Sequence, residues 1–288
     1  MRKTNLVLLT IIFAAGLCSY AQNTQLPMKQ DSVKFAAIGD NGTGDKPEYQ
    51  IAEKLAAAQQ MFPFEFVVML GDNLYGGENP KDFTQKFEKP YMTLLDRGVK
   101  FYATLGNHDD PARQVSYAKF NMGGKHYYTF KPKNGVRFFS LDSNYMDKKQ
   151  LDWFENELKN SLSDWKIVYF HHPIYSSGET HGSNVELRSV LEPVILKYGV
   201  DVVLTGHEHF YERIKPQKGI HYFIVGSSGK LREGNITKTS LTEKGFDRDN
   251  TFMLAEIQGD EMSFQVFSRT GATVDSGTIR RAEKIRKP

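Results

Sequence analysis

The sequence predicts an α/β fold, and three observations carry that expectation. Four apolar runs, starting at Val33, Phe64, Val99 and Val200, each end in a glycine followed at once by polar residues. Stretches with helical spacing lie between these runs, and strand, helix, strand is the signature of an α/β domain. After Gly219 the texture changes: IHYFIVG, FMLAEIQ and EMSFQVF read as strands joined by short turns, as in antiparallel pairing.

The chain opens on a segment outside this pattern. MRKTN is basic, LVLLTIIFAAGL is apolar, and Ser19-Tyr20-Ala21 is a small-x-small site before Gln22. Residues 1–21 therefore read as an export signal, since the apolar run is too short to span a bilayer comfortably. Cys18 offers lipid attachment as the alternative, although Leu17 is bulky where lipoprotein signals carry a small residue. Residues 22–32 form a lead-in, and residues 33–288 read as one domain without repeats or linkers.

Within that domain the first strand is VKFAAIGDNG, and Pro47 to Met61 follows as a helix through Ile51, Leu55 and Ala58. Asp45 and Pro47 are its start signals. FEFVVMLGDNLY and VKFYATLGNHDD are the next strands. Lys148 to Leu162 is helical through Leu151, Phe154 and Leu158, and Asn184 to Tyr198 repeats the pattern. WKIVYFHHP lies between these two helices as a strand without the glycine, and VDVVLTGHEH follows the second. The stretch from Gly226 to Asn250 reads as a loop, and its SSGK lacks the upstream glycine of a phosphate-binding P-loop. The basic tail RRAEKIRKP reads as a solvated end.

Composition narrows the function classes. Of 288 residues, 40% are hydrophobic and 25% charged, which suits a globular chain with a sizeable core. Cleavage after Ala21 removes Arg2 and Lys3 and no acid, which takes the formal charge from +3 to +1. Near-neutrality gives no electrostatic case for nucleic-acid binding. Cys18 is the only cysteine, so the exported form makes no disulfide, and a transition-metal site must use His, Asp, Glu, Asn or Tyr.

Such residues crowd the strand ends, where buried strands of α/β proteins open onto a site. They are Asp40, Asp72, Tyr75, Asn107, His108, Asp109, His171, His172, His207 and His209. One aspartate after a strand is ordinarily a turn or a helix cap. Five ends loaded together with carboxylate, amide, phenol and imidazole suit iron, manganese or zinc, and offer more donors than one ion takes. Two adjacent ions are the usual device for displacement at phosphorus.

Asp40-Asn41-Gly42, Gly71-Asp72-Asn73-Leu74-Tyr75, Gly106-Asn107-His108-Asp109, Val168-Tyr169-Phe170-His171 and Gly206-His207-Glu208-His209 resemble, in order, the five blocks of the purple acid phosphatases. These belong to the calcineurin-like metallophosphoesterases, and the chain is similar to the small branch that includes the tartrate-resistant acid phosphatases. Phe210-Tyr211-Glu212-Arg213 looks more like the plant form. The resemblance implies a four-layer sandwich, two mixed β-sheets flanked by helices, as one catalytic domain. It implies a first metal, Fe3+, on Asp40, Asp72, Tyr75 and His209. It places a second, Fe2+, Zn2+ or Mn2+, on Asp72, Asn107, His171 and His207. Most relatives carry Asp-x-His in the first block; here Gly42 fills the third position, and Tyr75 would supply the missing ligand. The other reading of Tyr75 is a core residue below the loop.

By the same resemblance His108 contacts phosphate and His181 protonates the leaving group, unless His181 is a surface-loop histidine. His172 reads as packing behind the ligands, and His126 and His221 as structural residues in strand-like runs. The implied activity is an exported acid phosphatase, periplasmic or secreted, in which a metal-bound hydroxide attacks phosphate monoesters. Neither a membrane span nor an obligate protein partner is implied. A nucleotidase or phosphodiesterase of the same superfamily, or a non-catalytic metal- or phosphate-binding protein, are the alternatives. Mass spectrometry of the mature chain is expected to find Gln22 at its N-terminus, and a lipid on Cys18 would overturn the export reading in favour of a membrane-attached one.

Overall fold

The computed structural model describes residues 24–161, 164–237 and 239–281. The expected export signal and all but the first two residues of the basic tail lie outside the described residues.

The elements run in the order β1 (Val33–Ile38), α1 (Lys46–Met61), β2 (Phe66–Met69), α2 (Pro80–Phe83), α3 (Met92–Asp96), β3 (Lys100–Ala103) and α4 (Pro111–Gln114). Next come β4 (Tyr128–Lys133), β5 (Val136–Ser140), α5 (Lys148–Lys159), β6 (Trp165–Tyr169), α6 (Val185–Lys197) and β7 (Val202–Thr205). The chain closes on β8 (Tyr211–Gln217), β9 (Ile220–Val225), β10 (Thr242–Phe246), β11 (Thr251–Gln258), β12 (Glu261–Ser268) and β13 (Thr273–Arg280).

Two mixed sheets result. One has the order β13-β12-β11-β1-β2-β3 and the other β10-β8-β9-β7-β6-β5-β4. The strands that carry the candidate residues are the parallel ones: β1, β2 and β3 are neighbours in the first sheet, and β6 and β7 in the second. Alternation along each strand builds three apolar layers. Phe35 and Ala37 of β1 meet Phe138, Ile167 and Leu204 between the sheets, while Ala36 and Ile38 turn outward to Ile51 and Leu55 of α1. On the far side Val168 and Val203 pack under Phe154 of α5 and Leu191 of α6. Fully burying a side chain such as Phe35 or Leu204 stabilises by about 1.5–3 kcal/mol, so the sandwich is a rigid platform for the strand ends. The expected four layers are present.

The helices keep their expected places and trim at their ends. Asp147 and Asn184 are N-caps, accepting from the amides of Gln150 and Leu187. Asp45 caps α1 without a side-chain bond; Glu48 instead accepts from the Gly44 amide at 2.7 Å.

Three expectations need correction. The stretch from Gly226 to Asn250 contains β10, an edge strand whose Thr-Glu-Lys-Gly-Phe sequence is polar because only one edge of it is paired. The run IHYFIVG is strand β9, but it pairs with β7 and β8 in the second sheet and does not turn back onto β11. Only β11 and β12 form the expected hairpin, across Gly259 and Asp260. His126 stands before β4 and outside any strand, half exposed and 2.9 Å from Asp142.

Candidate metal centre

The candidate side chains follow the carboxyl ends of the parallel strands, three of them on strained turns. Asp40, Asp72 and His207 have φ of 52°, 50° and 69°, the left-handed region that disfavours residues with a Cβ. Glycines beside them let the loops touch. A Cβ on Gly106 would stand 2.2 Å from the Asp72 carboxylate, and one on Gly206 would stand 2.5 Å from that of Asp40.

The carboxylates then tie the loops together, Asp40 across the two sheets and Asp72 within the first. The His207 amide, after β7, donates to Asp40 Oδ2 at 2.8 Å, and the His108 amide, after β3, donates to Asp72 Oδ1 at 3.0 Å. Both carboxylates are buried. The donor atoms gather into two adjoining groups. In one, Asp40, Asp72 and His209 offer ligand atoms within 4.8 Å of one another. The Tyr75 hydroxyl joins them at 3.2 Å from both Asp40 Oδ1 and His209 Nε2. The other group centres on His171, whose Nε2 lies 3.1 Å from Asn107 Oδ1, 3.3 Å from Asp72 Oδ1 and 3.1 Å from His207 Nδ1. His171 Nδ1 donates to the Leu70 carbonyl at 2.9 Å, which leaves Nε2 as the coordinating nitrogen of the neutral ring.

Electrostatics favour cations here. Burial pushes Asp72 up, but the charge and hydrogen bond of His171 outweigh it and hold its carboxyl well below the usual range. Burial likewise lowers His171, yet the charge of Asp72 raises it to about 9. His207 is lowered to about 2, by burial first and then by the charges of His171 and His172, so its imidazole stays neutral. Hard oxygen donors in one group and imidazoles in the other fit a pair of iron-, zinc- or manganese-type ions. Binding them would release the proton that Asp72 and His171 share between them.

The remaining expected residues surround these groups. The exposed His108 ring lies 5.0 Å from that of Tyr75, and the exposed His181 ring lies 4.2 Å from that of His207. His172 bonds Ser143 Oγ at 2.9 Å, and its ligand atom falls within 4.8 Å of those of His171 and His207. It is thus closer to the donors than packing requires.

Gly42 does more than omit a ligand. A Cβ there would lie 1.8 Å from the Asn73 carbonyl, and the Gly42 carbonyl accepts the Tyr75 amide at 2.8 Å. The missing side chain is what lets the Tyr75 loop close over the Asp40 loop.

Two residues of the sequence blocks take supporting roles that the sequence alone leaves open. Asp109 is the first. Its carboxylate, pushed up to about 7 by burial and then by the charge of Asp72, accepts from Gly106, Leu74, Asn73 and Gln114 and so ties two loops. Glu208, between the paired histidines, is fully buried and turned away from them. It accepts from the Gly182 amide at 2.7 Å and Ser176 Oγ at 3.3 Å, fastening the loop that carries His181. The only signal in the sequence was an acid at a strand end with no other work.

The sequence profile of the calcineurin-like phosphoesterases matches residues 33–211. Tartrate-resistant acid phosphatase type 5 of Rattus norvegicus is 26% identical over 87% of this chain and 91% of that protein. Purple acid phosphatase 17 of Arabidopsis thaliana is 28% identical over 76% of this chain and 75% of that one. Among solved structures, the anchor in the inner membrane complex of Plasmodium superposes with a TM-score of 0.79 at 21% identity, covering 88% of this chain and 90% of that one. A purple acid phosphatase from yellow lupin (Lupinus luteus) seeds gives 0.68 at 18% identity, covering 90% of this chain and 55% of that one. These two structures bear on the fold alone.

Gly42→Ala is expected to lower unfolding free energy by about 1–3 kcal/mol, the usual range for overpacking. Chemical denaturation reads this, and an unchanged midpoint would show that the Tyr75 loop has room to move.

Proposed function

The chain belongs to the calcineurin-like phosphoesterase family, and from that premise we propose that it is an exported acid phosphatase of the purple type, hydrolysing phosphate monoesters at a dinuclear metal centre. The observation that carries this reading is the pair of adjoining donor groups, joined where Asp72 meets His171 at 3.3 Å. Asp40, Asp72, Tyr75 and His209 would hold the first ion, and Asp72, Asn107, His171 and His207 the second. The ions would supply positive charge to the phosphoryl oxygens and acidify water beside them.

The residues around them have separate tasks. His108, on the open side of Tyr75, binds the phosphoryl group. His181, beside the His207 ring and on a loop anchored through Glu208, gives a proton to the departing alcohol oxygen. Tyr75 selects the first ion. Burial and then the charges of Asp40 and Asp72 push its phenol far above the usual range, so only a strongly charged cation would draw the phenolate out. Ferric iron meets that demand. No helix among the described residues is long and apolar enough to cross a membrane, and export rests on the leader sequence.

Protein purified without chelators should carry two metal ions and hydrolyse a panel of monoesters faster than diesters or diphosphates. Tight phosphate binding without turnover would sink the enzymatic reading, and faster cleavage of diesters would sink the monoester one. With iron loaded and oxidised, a purple to pink charge-transfer band is expected, and Tyr75→Phe should bleach it while the fold survives. A variant that keeps the band would return Tyr75 to a packing role. His181→Ala should slow alkyl esters about a hundredfold more than activated aryl esters, because only the former need a proton on departure. Equal losses on both would leave His181 with positioning alone.

A further inference from the structure

The SSGK stretch, residues 227–230, follows β9 and is built into the rim of the metal centre. The Ser228 amide donates to the Gly39 carbonyl at 3.0 Å and the Lys230 amide to the Asp40 carbonyl at 2.9 Å. Gly229 packs so closely that a Cβ would stand 2.2 Å from the Asn41 carbonyl. From behind, Asn250 Nδ2 donates to the carbonyls of Gly229 and Lys230 at 3.0 and 3.3 Å. Residue 230 is therefore fixed to the Asp40 loop, unlike a surface lysine on a free turn.

Its ammonium has no acidic partner among the described residues and lies 4.8 Å from the centroid of the Tyr75 ring. Arg232, two residues on, is already committed to Glu208 at 3.7 Å. A lysine held over the face of a candidate ligand's ring, yet paired with no acid among the described residues, is a charge kept for a ligand. Tyr75 meets Asp40 and His209 through its hydroxyl end, whereas Lys230 sits on its face. The ammonium is thus offset from the donor groups by the body of a ring. That offset suits a neighbouring anion and not the reacting one.

Resting on the phosphatase reading above, we propose that Lys230 binds a second phosphoryl group, so that the preferred monoesters carry two phosphates. Fructose 1,6-bisphosphate and fructose 6-phosphate differ only in that group. Wild type is expected to favour the bisphosphate in kcat/KM, and Lys230→Met to cut that preference about tenfold, the size of one lost charge-assisted contact. Lys230→Arg should restore most of it. Calorimetry with hexane-1,6-diphosphonate and hexylphosphonate, whose spacing follows that of the sugar pair, gives a reading without turnover: Lys230→Met should weaken the first about tenfold and the second less than twofold. An unchanged preference, or equal losses on both members of either pair, overturns the proposal. If wild type hydrolyses no ester, the phosphatase reading falls, and the phosphonate pair still decides for or against Lys230.

Discussion

Two carboxylates, Asp40 and Asp72, are buried side by side at the ends of adjacent strands, and the rest of the site is arranged around that charge. Buried anions without partners are costly, so every element near them contributes a donor. The two amides that serve them come from His207 and His108, themselves candidate site residues. The backbone that presents one set of donors therefore neutralises the other. Asp40 thus depends on the loops after β2 and β7, and Asp72 on those after β3 and β6.

Close approach is the second condition, and glycine meets it. Gly42, Gly106, Gly206 and Gly229 each face the backbone or carboxylate of another loop at a distance no side chain could tolerate. The apolar sandwich sets the strand spacing, and these glycines convert that spacing into contact between loops. Asp109 and Glu208 then lock what the glycines allow. One joins the loops after β2 and β3, and the other joins the end of β7 to the loop bearing His181.

Much of this was legible because the central strands are apolar on both faces and end abruptly. Asp40, Asp72, Asn107, His171, His207 and His209 all followed from that punctuation, as did α1, α5 and α6 from their spacing. The edges were less legible. At one edge β10 is polar, at another β13 alternates weakly because one of its sides is unpaired, and β8, inside the sheet beside β10, contains Pro216 and a register shift. Edge strands bury too little to impose a pattern. Glu208 and Lys230 were hidden for a different reason. Their work depends on loops distant in the sequence, and neither carries a local signature.

The left-handed turns at Asp40, Asp72 and His207 have a consequence for how such a chain would age under mutation. Glycine at any of the three relaxes the backbone and removes a donor in the same step. Stability and chemistry are therefore opposed at these positions, as they are not in the core, where a poorer side chain harms both. A duplicated copy kept only for its shape would slide towards glycine at 40, 72 and 207 while its sandwich stayed intact. The order of loss would be a record of when the selection on chemistry ceased.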